Sequence, residues 1–354
     1  MTATGSTKEV GPPLATVMIR TYNQVRFIGK ALEGAVMQQT TFPFEVIVHD
    51  DASTDGTSDI VREYAQRYPG IVIADIEKEN QYSKGNYSGM NVMPRGRYLA
   101  ICEGDDYWCK EDKLQKQVDY LEKHPECSYV FSNAYDVDVD GNITGERINT
   151  DVDRVFSAEE MIRGFHVFPT TASVVTRIAD MMDFPSSLLA GEVGDEPIRD
   201  FLMTRGNAFC FADKTCCYRR MSSGSWSERF MGSLAFQVRQ DKAYCDFYKR
   251  FDQFSEGRFH EILQDKIAEH DRVSCVRTIH LTKLKRVYAG YFNSLSGKTR
   301  MLLYVKYYLP FVLTLGRCLR YGFKKGIEGN ELQHSFFKDH FGKMRDDAEQ
   351  QAAA

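Results

Sequence analysis

No stretch of this 354-residue sequence offers about 20 clean apolar residues, so no membrane-spanning helix is expected. The nine cysteines, at 102, 109, 127, 210, 216, 217, 245, 275 and 318, include no C-x-x-C pair, which argues against zinc or a redox dithiol. The N-terminus lacks the features of a signal peptide. Reduced cytosolic thiols are therefore expected, and the sequons at Asn86 and Asn142 count as chance matches. Neither G-x-G-x-x-G nor G-x-x-x-x-G-K-[ST] occurs, so ordinary dinucleotide and P-loop sites lack their glycines. A net charge of -4 says little about partners. The most telling gap is local: from Arg272 to Gly326 there is no Asp or Glu.

What is present is a core-forming composition, 43% hydrophobic, sized for one large domain or a domain with an extension. Residues 1–15 read as a loose leader. Thr16–Arg20 (TVMIR), Phe44–Val48 (FEVIV), Ile71–Ala74 and Tyr98–Cys102 are short apolar runs expected to be buried strands. Between them, Arg26–Gln39 has apolar residues at helical spacing, and a second helix runs from about Ser58 to Tyr68, stopping before Pro69. Thr54 or Asp55 is its expected N-cap. Alternation of this kind predicts an α/β fold, a mostly parallel sheet flanked by helices. Ligands in such sheets sit at the carboxyl ends of the strands, where Thr21–Asn23, Asp50–Asp55 and Glu103–Asp106 all fall.

The last of these clusters closes the stretch GRYLAICEGDDYW, Gly96–Trp108, around which the rest is organised. Three carboxylates at a strand end repel unless neutralised. Mg²⁺ or Mn²⁺, with oxygen ligands shared with phosphate, would do so; a solvated acidic turn is the plainer alternative. Downstream, a helix is expected over Lys110–Lys123, strands over Ser128–Ala134, Thr170–Thr176 and Phe209–Tyr218, a hairpin turn at Asp140–Asn142, and short helices over Ser157–Arg163 and Ile198–Thr204.

Taken in order, TVMIRTYNQ, EVIVHDDASTDGT, GRYLAICEGDDYW and GDEP resemble a family 2 glycosyltransferase of the type A, Rossmann-like fold, over roughly residues 16–227. The resemblance implies inverting transfer from a nucleotide-sugar, with Mn²⁺ or Mg²⁺. It places Thr21, Tyr22 and Asn23 along the base and ribose, and Asp51 as acceptor of a uracil N3–H, a role a carboxylate can fill. Asp55 matches the family's helix start as a cap. Asn80 and Lys84 fall where relatives touch base or phosphate. Glu103-Gly104-Asp105 stands for the D-x-D triplet, with Asp105 a metal ligand, Glu103 turned to ribose or metal, and Asp106 holding the loop or meeting the metal through water. Asp195 of G-D-E-P is the implied base, with Glu196 and Glu192 in reserve; a plain N-cap is the alternative reading of Asp195. Arg219, Arg220 and Ser222–Ser227 match the segment that closes over the diphosphate, with Met221 where many relatives carry His.

The expected organisation is a catalytic domain over 16–230 and a helical extension over 231–354. Within the extension, 272–326 is basic and holds the apolar stretch MLLYVKYYLPFVLTL, Met301–Leu315. Basic flanks around a short apolar helix suit an anionic membrane surface; a buried core helix and nucleic-acid binding are the alternatives, and no nucleic acid is expected. The expectation that follows is a peripheral enzyme on the cytoplasmic face of the membrane, acting on a glycan or lipid-linked acceptor in surface polysaccharide synthesis. Nucleotidyl transfer would need a basic loop near the first strand, for which Arg20 and Arg26 are too few. A catalytically inactive scaffold would be expected to have lost Asp51, Asp105 or Asp195.

Overall fold

The computed structural model describes residues 11–84, 91–164, 167–189, 193–222 and 225–308. Two compact units divide the chain, Met1–His270 and Asp271–Ala354. The first begins with β1 (Ala15–Thr21), α1 (Ile28–Val36), β2 (Phe44–Asp50), α2 (Thr57–Arg67), β3 (Val72–Ile76), β4 (Tyr98–Glu103) and β5 (Tyr107–Trp108). It continues through α3 (Lys113–Lys123), β6 (Cys127–Val137), β7 (Ile143–Arg147), β8 (Arg154–Phe156), α4 (Ala158–Arg163), β9 (Val175–Arg177), α5 (Glu196–Leu202) and β10 (Asn207–Arg219). After these come α6 (Trp226–Gly232), α7 (Leu234–Phe254) and α8 (His260–Arg277).

The sheet order is β3-β2-β1-β4-β9-β6-β10-β5, with β7 paired to β6 and β8 to β10. Strands β3, β2, β1 and β4 are parallel, so their carboxyl ends share one edge. Register brings Thr21 opposite Asp50 and Arg20 opposite Glu103. The apolar runs of β1 and β2 are buried, and Val17, Ile19, Val46 and Val48 share one core with Ile28, Leu32 and Ala35 of α1 and Val61 of α2.

One strand is shorter than its sequence suggests. Thr171–Ser173 forms a 3-10 turn and only Val175–Arg177 pairs, antiparallel to β4 and β6. The Ser173 hydroxyl and N–H both donate to the Thr170 carbonyl, at 2.7 and 2.8 Å, the local competition that hydroxyl residues offer against a ladder. Helix α4 is stopped and started as its sequence dictates: Ser157 and Glu160 form a capping box, and Gly164 ends it at φ 71°.

Phe247, Tyr248 and Phe251 of α7, Leu263 of α8 and Phe259 just ahead of α8 join the same core as Phe201 of α5 and Phe131 of β6. The expected break near residue 230 therefore falls ahead of helices that pack within the first unit. The second unit has its own core, with Leu281 and Leu284 of α9 (Leu281–Arg286), Phe292 of α10 (Ala289–Ser294) and Leu303 of α11 (Gly297–Tyr308). Among the described residues no helix is long and apolar enough to cross a membrane. The apolar stretch beyond Tyr308, and the tail after it, lie outside the described residues.

One buried charge has a measurable consequence. Lys113 of α3 is fully buried, donating to Gln117 Oε1 at 2.6 Å with its Nζ 4.2 Å from the centre of the Trp108 ring. Burial lowers its pKa from the ordinary lysine value to about 8. Between about pH 8 and pH 10.5 the unfolded chain holds this proton and the folded chain does not, so stability contributed here rises with pH. Lys113→Met is expected to melt at least about 2 °C higher at neutral pH, with the gain shrinking by about pH 10. Thermal melts of both proteins across that range check it, and a constant difference would contradict it.

Candidate active site

The carboxyl edge of the sheet is stitched together by short polar side chains. Asp50, fully buried, accepts from the Ser53 N–H at 3.2 Å and from the hydroxyls of Ser53 and Ser58. Asn23 Oδ1 accepts from the Thr54 N–H at 2.8 Å, and the Asn23 N–H donates to Ser53 Oγ at 2.8 Å. Asp55 accepts from the N–H groups of Val25 and Thr57, both at 3.0 Å, so it caps α2 at its first residue, while Gly56 supplies the left-handed turn at φ 101°. Tyr22 is left 47% exposed beside this framework, a free aromatic face. Asp51 is buried and accepts from the N–H groups of Gln81 and Tyr82, at 2.6 and 3.0 Å. Carboxylate oxygens take more than one donor, so a further N–H can be accepted there.

Two expected nucleotide contacts have partners within the protein. Lys84 forms an exposed ion pair with Glu79, which spends its charge away from Asp51. Asn80 accepts from the Ser83 N–H at 2.6 Å and so builds the turn carrying Lys84.

Gly104 lies against β1, where a Cβ would stand 2.4 Å from Gln24 Oε1 and 2.7 Å from Thr21 Oγ1. Asp105, half-buried, accepts from the Ser222 hydroxyl on Oδ2 at 2.5 Å, while its Oδ1 takes no hydrogen bond among the described residues. Glu103 Oε2 is buried without a partner. Burial, then the charges of Asp195 and Asp105, push Glu103 up to about 8. Hard oxygens with spare lone pairs and mutual repulsion suit a divalent cation that shares its ligands with phosphate.

Asp106 does not join them. It is 3% exposed, its Oδ1 accepts from the Arg219 N–H at 2.7 Å, and burial together with Asp105 and Glu103 holds it well above the carboxylate range. Of its two expected roles, holding the loop and meeting the metal through water, the Arg219 contact is the first. Arg219, expected near the diphosphate, is turned inward as well. Its guanidinium is buried, donating to the carbonyls of Asp105 (2.9 Å) and Asp138 (2.6 Å), with its centre 4.6 Å from the Phe27 ring. Its Nε and one Nη are thus committed to backbone carbonyls. Arg220 faces outward, 3.5 Å from Asp136, a carboxylate already shared with Arg147.

Asp195 is exposed and makes no cap bond to α5; its Oδ2 accepts from the Thr171 hydroxyl at 2.6 Å. The turn bearing Thr171 is pinned by Trp108, whose indole N–H donates to the Ala172 carbonyl at 2.7 Å. Glu196 points the other way, into the core, where Arg199, Lys266 and Tyr248 all donate to its Oε1. Burial opposes its charge, but Lys266 and Arg199 outweigh that and hold it far below the carboxylate range, so it is no proton acceptor. Glu192 lies outside the described residues. Thr171 and the partners of Glu196 carry no motif in the sequence.

Among the described residues, metal-ligand atoms converge within 4.8 Å at His49, Asp75 and Glu77. There the His49 ring pairs with Asp75 at 2.9 Å, and the Asn91 amide bridges Asp75 and Glu77 at 3.1 and 2.8 Å, so the group is already satisfied.

The sheet is mixed as a whole, with the expected parallel order confined to β3, β2, β1 and β4 and to β6 with β10, and with this carboxyl edge it has the type A glycosyltransferase architecture. Residues 16–179 match the profile of glycosyl transferase family 2. An uncharacterized Mycobacterium tuberculosis protein, Rv1520, is 35% identical over 220 residues, and the match covers 61% of this chain and 61% of that protein. TuaG of Bacillus subtilis, provisionally named a teichuronic acid biosynthesis glycosyltransferase, is 31% identical over 120 residues, 34% of this chain and 46% of its own. The structure of S. aureus TarS 1–349 in complex with UDP-GlcNAc aligns with a TM-score of 0.52 over 92% of both chains at 16% identity, a likeness of fold.

Proposed function

We propose that the chain transfers a sugar, with inversion, from a UDP-sugar to a hydroxyl of a glycan or lipid-linked acceptor in surface polysaccharide synthesis. The observation that carries this reading is the pairing of an unencumbered Asp105 oxygen with an exposed, Thr171-held Asp195 at one sheet edge. Tyr22, Asn23 and Asp51 line the nucleoside, Thr21 and Gly104 bring the first strand against the triplet, and Arg220 reaches the phosphates. Asp105, with Glu103 beside it, would hold Mn²⁺ or Mg²⁺, which stabilises the leaving diphosphate. Asp195 takes the proton of the acceptor hydroxyl as that oxygen attacks the anomeric carbon. The UDP-GlcNAc complex of TarS supports the choice of uridine, and the naming of TuaG supports a polysaccharide product.

Calorimetry with a panel of nucleotides and nucleotide-sugars, with and without Mn²⁺, tests the donor site. UDP binding that needs both Mn²⁺ and Asp105, and is lost in Asp105→Ala, is the expected result. Preference for another base would overturn the Asp51–uracil contact, and binding of no nucleotide would leave a scaffold.

Membrane-surface attachment on the cytoplasmic side belongs to the same proposal. The second unit supports it with a 650 Å³ groove where Lys285 and Arg300 flank Phe292, Met301 and Tyr304, in a segment free of acids. The full chain is expected to sediment with phosphatidylglycerol vesicles, and Lys285→Gln/Arg300→Gln to sediment several-fold less. Equal sedimentation of both would sink the attachment.

A further inference from the structure

We infer that Lys266 and Tyr248 are positioning residues for Asp195, acting through the carboxylate of Glu196. The inference rests on Asp195 being the base. Asp195 has one side-chain restraint among the described residues, the Thr171 hydroxyl. Its second restraint is the peptide that joins it to Glu196, the first residue of α5. Glu196 Oε1 receives three donors: Lys266 Nζ at 2.7 Å, Arg199 at 2.8 Å and the Tyr248 hydroxyl at 2.9 Å. Arg199 turns its other donors on Asp200 Oδ1, at 2.6 and 2.8 Å, so two acids and two cations balance inside the core.

The partners come from separated parts of the chain. Lys266 lies on α8 and also donates to the Ile162 carbonyl at 2.8 Å, at the end of α4; its Nζ stands 4.8 Å from the Tyr248 ring centre. Tyr248 lies on α7. Three helices thus converge on the residue next to Asp195, and a seven-residue helix that could not hold its own start in place is fixed from outside. A shift of about 1 Å at a reacting group costs up to about 10²-fold in rate, so loosening this clamp should appear in turnover rather than in donor binding.

The test uses the full chain with the nucleotide-sugar selected by calorimetry, turnover being read as UDP release. Lys266→Met is expected to lower kcat by about tenfold or more, with the donor KM within about twofold of wild type. Lys266→Arg, which keeps the charge and a donor, is expected to recover most of the loss. Tyr248→Phe removes one hydrogen bond at constant shape and is expected to lower kcat a few-fold. Placed on Asp195→Asn, Lys266→Met should cost nothing further, since the clamp acts only through Asp195. If Lys266→Met does not fold, Tyr248→Phe decides, and wild-type kcat in it overturns the inference. An inactive Asp195→Asn beside fully active clamp variants would overturn the clamp alone. An active Asp195→Asn would overturn the base reading beneath it.

Discussion

Asp195→Asn is expected to lower sugar transfer by about 10²–10⁴-fold, the usual worth of a positioned general base. Donor affinity and melting temperature should stay close to wild type. The amide is nearly isosteric, and its oxygen can still accept from Thr171, so the loop keeps its 2.6 Å bond. What is lost is the ability to accept a proton. The plain cap reading makes the opposite forecast, because Asn caps a helix about as well as Asp and nothing would change. Glu196→Gln separates the two neighbours further. It leaves the buried Lys266 and Arg199 with Asp200 as their remaining counter-charge in this cluster, and removing one member of a buried ion network costs about 3–5 kcal/mol. A marked fall in melting temperature is therefore expected from Glu196→Gln. Adjacent carboxylates would then show two phenotypes: Asp195→Asn loses turnover at unchanged stability, whereas Glu196→Gln loses stability and, through the loosened clamp, part of its turnover. Melting curves and UDP release on the same preparations read both, and a stable, inactive Glu196→Gln beside an active Asp195→Asn would exchange their roles.

The difference between these neighbours was not legible in G-D-E-P. Nothing local says which carboxylate turns outward, because the cations that claim Glu196 are Lys266 on α8 and Arg199 within α5, and only the packing of α7 and α8 brings Lys266 there. The same holds for Arg219. An arginine at the end of a strand beside a serine-rich loop suits phosphate, yet β10 pairs with β5 and carries it under the triplet, where carbonyls and aromatic rings absorb its charge. Long-range pairing decides such cases, and sequence spacing holds no trace of it. The strand ends were legible for the converse reason. Apolar runs of strand length, each followed at once by Asn, Asp or Glu, leave little freedom about where polar groups emerge, so Thr21, Asp50 and Glu103 fall at one edge as the alternation requires. Thr170–Thr176 shows where that logic fails. A run rich in Thr and Val reads as strand, but the hydroxyls find the backbone first, and the resulting turn is what delivers Thr171 to Asp195.

Gly104→Ala should lower both the melting temperature and donor affinity, whereas Gly206→Ala should lower the melting temperature alone. A methyl group at position 104 would meet Gln24 Oε1 at 2.4 Å, Thr21 Oγ1 at 2.7 Å and Thr21 Cβ at 2.8 Å. Gln24 is long enough to swing aside, but Thr21 is short and 5% exposed on a central strand, so the ends of β1 and β4 must part. Overpacking of this kind costs about 1–3 kcal/mol. The displacement falls on the residues proposed to carry ribose and metal, Thr21 to Asn23 on one side and Glu103 to Asp105 on the other. Donor affinity should then drop by about tenfold or more, as placement errors at such sites do. Position 206 provides the control. A Cβ there would stand 2.4 Å from the Glu126 carbonyl, an equally hard clash, but where β6 and β10 begin, at the opposite edge of the sheet. Its cost should be of the same order, with UDP binding unchanged once the protein is folded. Calorimetry on both variants, at a temperature where each is folded, separates the cases. If the two lost donor affinity equally, the edge defined by Thr21 and Glu103 would not be the nucleotide side.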